Sequence, residues 1–344
     1  MILLENFNTF LIVFLIILSI NSLAYLLYYK IYNKKNFKQS KLIPNPSNIA
    51  GEGGIVFVIS FLFFYWFLSN SKILTNSINF DVVPRYYIFF ISLISLSFLS
   101  YIDDKFELSK KIRFIFQIIF CYIGLTALNF PILETIPLKL EFLIIIFMWV
   151  YIINTTNFID GLNGVVASNG ISFFLGSLII IYYLNINDYY FILINFISLI
   201  LVISFFLYNF PKPYIFFGDT GSISLGFIIG YVIFYFFSLD IFFPVIFLYI
   251  YPILDVSFTL VHKTFIRRKL PWARLFDYYF LKPVIEGNKS HAFVTTKIIL
   301  NNIVSLVFLV IYLNQQNNKI LIIFPILFSI FLIFYFDKFK RIKI

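Results

Sequence analysis

Charge is scarce in this chain, and so are the residues that usually crosslink or chelate. Of 344 residues only 12% are charged, one is cysteine and two are histidine. Soluble domains carry about 25% charged residues. A chain at half that level with 61% hydrophobic residues is excluded from that class. Lone Cys121 excludes an internal disulfide, and in its apolar run it reads as a small buried hydrophobe. No stretch is polar and long enough to fold as a soluble domain, so residues 1–344 read as one transmembrane domain.

What is present in quantity is long apolar runs. Eleven reach spanning or near-spanning length: about 7–29, 53–69, 86–102, 114–130, 141–153, 164–184, 189–208, 221–238, 241–260, 297–313 and 320–336. The expected fold is all-α, a polytopic helical bundle in a membrane. The first run is long and the residues before it hold Glu5 and no basic residue, which predicts a first membrane helix rather than a cleaved signal.

The net charge of +10 does not point to nucleic acid, because the charge is one-sided. Of 26 Lys and Arg, 22 fall in, or at the edge of, one alternate set of connections. That set is 30–52, 103–113, 154–163, 209–220, 261–296 and the tail after 336. The other receives only Lys72, Arg85, Lys139 and Lys319. The positive-inside rule makes the basic set cytoplasmic. Its charge suits anionic lipid or substrate phosphate. The stretch from Trp272 to Phe280 mixes rings with charge and reads equally as a membrane-surface segment or an ordinary loop.

Four polar clusters lie at the ends of apolar runs, all on that basic side: Asp103-Asp104-Lys105, Asn154 to Gly161, Gly218-Asp219-Thr220-Gly221 and Lys289-Ser290-His291. Carboxylates beside a bilayer are costly and mark function by default. Asp103 and Asp104 repel unless a cation lies near, and Mg²⁺ takes carboxylate and phosphate oxygens together. The plainer alternative is a solvated loop balanced by Lys110, Lys111 and Arg113. Gly218 to Ser222 precedes an apolar run, where helix N–H groups and a carboxylate suit a phosphate and its metal; a simple cap by Asp219 or Ser222 explains the same residues. Asn154, Asn157, Asp160 and Asn163 recur every third residue and would share a helix face, either to read a polar ligand or to solvate a helix end. Asp255, inside the ninth run, is expected to pair with Lys263 or Arg267. His262 carries no assignment.

Together the clusters resemble the polyprenyl-phosphate N-acetylhexosamine-1-phosphate transferase family, within glycosyltransferase family 4. Three patterns carry the likeness over roughly residues 44–297: Asp103-Asp104-x3-Leu108-x4-Arg113-Phe114; Asn154-x2-Asn157-x2-Asp160-Gly161-x2-Gly164; and Phe217-Gly218-Asp219-Thr220-Gly221-Ser222-x-Ser224-Leu225-Gly226. Pro44-Asn45 and Gly53-Gly54 are similar to its first cytoplasmic loop. The resemblance implies transfer of an N-acetylhexosamine 1-phosphate from a UDP-sugar to undecaprenyl phosphate. UMP leaves, and cell-envelope polysaccharide synthesis begins at the cytoplasmic face of a bacterial inner membrane. It implies Mg²⁺, or Mn²⁺ in its place, on Asp219 and Asp160. Asp103, Asp104 and Asp219 would be catalytic. Asn154, Asn157, Asp160, Asn163, Arg267, Arg268, Lys289 and His291 would bind substrate. The partners are both substrates and membrane lipid, with a homodimer as one assembly. The chain departs from the family pattern at Glu52, usually basic, at Asn163, usually acidic, and at a histidine stretch reduced to His291. Those departures leave a non-catalytic lipid-phosphate binder open beside the enzyme. The other alternative is a transporter with Asp255 on its path.

Overall fold

A computed structural model describes residues 7–32, 49–71, 83–128, 132, 136–266, 268, 278–315 and 318–339. Pro44, Asn45, Arg267 and Trp272, singled out in the sequence, lie outside these residues. All described regular structure is helical apart from one isolated parallel bridge, Ala50 to Ile215.

In hydrocarbon no water can serve a bare N–H or C=O, so apolar runs satisfy their backbones internally as helices. In chain order these are α1 Phe7–Tyr32, α2 Gly54–Asn70, α3 Val83–Phe106, α4 Lys110–Leu125, α5 Leu138–Ile159, α6 Val165–Tyr183, α7 Tyr189–Asn209, α8 Gly218–Phe237, α9 Phe243–Val261, the short α10 Lys282–Ile285, α11 His291–Asn314 and α12 Ile323–Asp337. Each of the eleven expected spans coincides with a long helix. Nine, α12 taken with the 3-10 turn Lys319–Ile322 before it, have the length and apolarity of a membrane span among the described residues; α2 and α4, of 17 and 16 residues, are shorter.

Several helices run past their expected ends, while α4 stops at Leu125 rather than 130. The fifth run extends to 22 residues. α3 continues through Asp103 and Asp104, so the expected loop 103–113 contracts to 107–109. Ser109 then caps α4 by accepting from Ile112 N. α11 starts at His291 rather than 297, capped by Ser290 Oγ, which accepts from Phe293 N at 3.2 Å. A capped polar turn costs little helical stability, so the helices run past the end of hydrophobicity.

α8 is the hub. Apolar nearly all round, it is almost wholly buried, as a helix without a solvated face must be. α2, α3 and α5 pack around it, and α7 packs against α1, α2 and α6. Close approach depends on glycine: a Cβ at Gly54 would lie 2.1 Å from Gly221 N. Residues 50–54 also run beside 214–217, with Gly53 N and Gly54 N donating to Phe216 O and Phe217 O at 2.8 Å each. The starts of α2 and α8 are thereby locked together. α1, α2, α11 and α12 turn Leu, Ile and Phe side chains outward, as lipid-facing helices do.

Candidate active site

The last turn of α3, the last turn of α5 and the first turn of α8 meet at one end of the bundle. Asp103, 6% exposed, accepts from Leu108 N at 2.7 Å on Oδ1 and from Arg113 Nη1 at 2.7 Å on Oδ2. The same Arg113 nitrogen reaches Asp219 Oδ2 at 3.3 Å. Asn157 Nδ2 donates to Asp219 Oδ1 and to Ser222 Oγ, both at 3.0 Å. Asp104 Oδ2 accepts from Thr220 N at 3.1 Å and Thr220 Oγ1 at 2.7 Å. Three motifs far apart in sequence thus form one hydrogen-bonded cluster. Glu52 adds a further negative charge facing Asp104.

Asp160 stands just beyond α5. Its burial, then the Asp219 and Asp104 carboxylates, push its carboxyl well above the usual carboxylate range. Asp103, Asp104, Asp160 and Asp219 repel one another, Arg113 bridges two of them, and a further cation there would relieve the repulsion. Among the described residues no three acid, His or Cys side chains converge as a complete metal cage. Mg²⁺ needs none, since it takes one or two carboxylates and fills its shell with water and phosphate. Asp219, 35% exposed at its side chain, is open to such a shell. The residues fit a magnesium ion shared with a phosphate.

The structure corrects several expectations. α8 has no side-chain cap; Ser222 Oγ instead donates to Gly218 O at 3.1 Å. The capping explanation for Asp219 therefore fails. Asn154 does not join Asn157: its Nδ2 donates to Gln117 Oε1 and Val150 O, both at 2.8 Å, because this turn of α5 faces α4. Asn163 lies past the helix end, so the three-residue spacing no longer sets its direction. Its N–H donates to His291 Nδ1 at 3.4 Å and its carbonyl accepts from Thr295 Oγ1 at 2.7 Å. Ser290, next to His291, caps α11. Lys289 is exposed, its ammonium 5.8 Å from the Phe293 ring centre, and Arg268 is exposed. Neither touches the acid cluster. Asp255 is held by Tyr251 Oη at 3.1 Å and Phe280 N at 3.2 Å, not by Lys263.

The sequence offered Arg113 only as a charge balancing Asp103 and Asp104, and offered no role for Thr220, Gln117 or Asn209. The last accepts from Gly164 N at 2.5 Å and donates to Ile215 O at 2.8 Å, tying two loops. Arg113 and Thr220 stood inside the quoted motifs. Gln117 was visible only as an amide in an apolar run.

Residues 86–237 match the family model described as glycosyl transferase family 4. Over that segment the chain is similar to this family, as its motifs led one to expect. It is similar to the phospho-N-acetylmuramoyl-pentapeptide-transferase of Leuconostoc citreum, 29% identical over 38% of this chain and 43% of the relative. It is similar also to the "Probable undecaprenyl-phosphate N-acetylglucosaminyl 1-phosphate transferase" of Bacillus subtilis, 30% identical over 48% of this chain and 49% of the relative. The phospho-N-acetylmuramoyl-pentapeptide-transferase of Petrotoga mobilis is 28% identical over 55% and 61%. The chain matches roughly half the length of these relatives. Its long apolar helices are those of a multi-pass membrane protein. The matched segment holds Asp103, Asp104, Asp160 and Asp219 but not Glu52, and stops short of His291.

Proposed function

We propose that this protein transfers an N-acetylhexosamine 1-phosphate from a UDP-sugar to undecaprenyl phosphate, with its acid cluster facing the cytoplasm. The observation that carries the proposal is the Arg113 bridge between Asp103 and Asp219. It joins the motif suited to the acceptor to the motif suited to the donor. An oxygen of the lipid phosphate attacks the β-phosphorus, the bond to the bridging oxygen breaks, and UMP leaves with that oxygen. Such a transfer needs alignment and charge neutralisation more than covalent help.

Asp219 and Asp160 would hold Mg²⁺, which supplies charge neutralisation on the diphosphate. Asp103 has both oxygens engaged and acts by aiming Arg113, whose planar guanidinium suits phosphate oxygens. Asp104 uses only Oδ2 among its described contacts, so its other oxygen is free to accept the acceptor phosphate's proton and so position it. Asn157 orients Asp219. Asn163 and His291 meet beside this turn, on the donor side. The transporter alternative expects acids along a path at membrane depth. These acids gather at helix ends, which favours the enzyme.

The test is purified protein with undecaprenyl phosphate and a panel of UDP-sugars, following UMP and the lipid product. Magnesium-dependent release of UMP only when both substrates are present is the expected result. No product with any UDP-N-acetylhexosamine would overturn the reading in favour of a lipid-phosphate binder.

A further inference from the structure

Asp255, like Glu141, is a fully buried carboxylate for which the proposed reaction gives no task. It lies on α9 three residues after Pro252, where the helix is kinked and Tyr249 leaves helical geometry at φ −135°, ψ 22°. It is 0% exposed. Oδ2 accepts from Tyr251 Oη and Phe280 N, while Oδ1 has no hydrogen-bond partner. Burying a carboxylate is expensive, and packing alone would favour an apolar side chain here.

The Phe280 amide shows what the carboxylate does. Tyr279–Leu281 forms a 3-10 turn with no side-chain cap of its own, so its first N–H groups have no partner within the turn. Asp255 supplies that cap from a neighbouring helix. The turn it holds is a wall of the acid cluster. A Cβ on Gly161, next to Asp160, would lie 3.3 Å from Leu281 Cδ2 and 3.5 Å from the Phe280 ring. The Tyr278 ring packs against Phe158 with centres 5.7 Å apart. Ten residues on, His291 and Thr295 grip Asn163. Segment 278–295 therefore clasps the turn 160–163 at both ends. Tyr151 Oη, 2.7 Å from Ser257 Oγ, ties α5 to α9 close by.

We infer that Asp255 is a positioning residue: by capping the 279–281 turn across space it seats the segment that holds Asp160 and His291 on the donor side. The inference rests on the transferase reading, but one readout does not. In Asp255→Leu the cap is lost. Amide exchange in 278–285 should quicken at least about tenfold, the scale of a lost hydrogen bond to a charged group, while α8 keeps its protection. The KM for the UDP-sugar should rise about tenfold by the same loss, with that for undecaprenyl phosphate within about twofold. Asp255→Asn keeps an acceptor oxygen for Phe280 N and should restore both quantities.

Unchanged exchange in 278–285 would overturn the inference even in a protein without transferase activity. So would equal losses toward both substrates. Should Asp255→Leu fail to fold, Asp255→Asn decides: normal segment protection supports the cap, and loss of protection overturns it.

Discussion

Thr220 donates twice to one oxygen of Asp104, through its amide at 3.1 Å and its hydroxyl at 2.7 Å. This fastens the end of α3 to the start of α8, two elements 116 residues apart. Only a hydroxyl and an amide on the same residue, at a helix start where the N–H is not used within the helix, make this double contact.

Thr220→Val keeps the shape and the amide bond and removes the hydroxyl. Turnover should fall about tenfold and stability by about 1 kcal/mol, the usual net value of one hydrogen bond. Steady-state UMP release beside a thermal melt reads both. A melt shift with normal turnover would separate Asp104 from the reaction.

Asp219→Asn retains Asn157 as neighbour but removes the charge that faces Arg113 and a cation. Turnover should fall about 100-fold or more, as when one important electrostatic group is removed, with the protein still monodisperse. EDTA should abolish wild-type activity and Mg²⁺ restore it. Full turnover in EDTA would remove the metal from the proposal.

Ser290 and His291 are adjacent with separable tasks. Ser290→Ala should cost about 1 kcal/mol of stability as a lost cap, and leave the UDP-sugar KM near wild type. His291→Ala should raise that KM and leave the melting temperature and the lipid KM nearly unchanged. Kinetics with each substrate varied in turn check this. Unchanged sugar-nucleotide kinetics in His291→Ala would take His291 out of the donor site.

Gly54→Ala would place a methyl group 2.1 Å from Gly221 N. Overpacking of this kind costs about 1–3 kcal/mol, and here it would also splay α2 from α8. Loss of activity should exceed what the melting shift explains, because the starts of both helices frame the acid cluster.

Orientation is read by single cysteines. Replacements of exposed Glu107 and Asn288 should label only from the cytoplasm, and one at exposed Asn185 only from outside. Labelling of Glu107→Cys from outside would invert the cluster.

The class of this protein was legible in its sequence because lipid imposes one rule on all backbone. Few charges and long apolar runs leave helices as the solution, and the one-sided basic residues point to a side. The three acid motifs were legible because each is local, a few residues at one helix end. Tertiary structure decided which of those residues meet. Spacing along α5 places Asn154 and Asn157 near one face, but only the packing of α4 and α8 sends the first to Gln117 and the second to Asp219. Arg113 could be seen as a charge near Asp103, yet its reach to Asp219 depends on α8 lying at the centre. Asp255 pairs with an amide 25 residues onward, not with Lys263, because a kinked helix presents its carboxylate to whatever segment folds back over it. No local pattern encodes such contacts; they follow from how helices fill a shared interior.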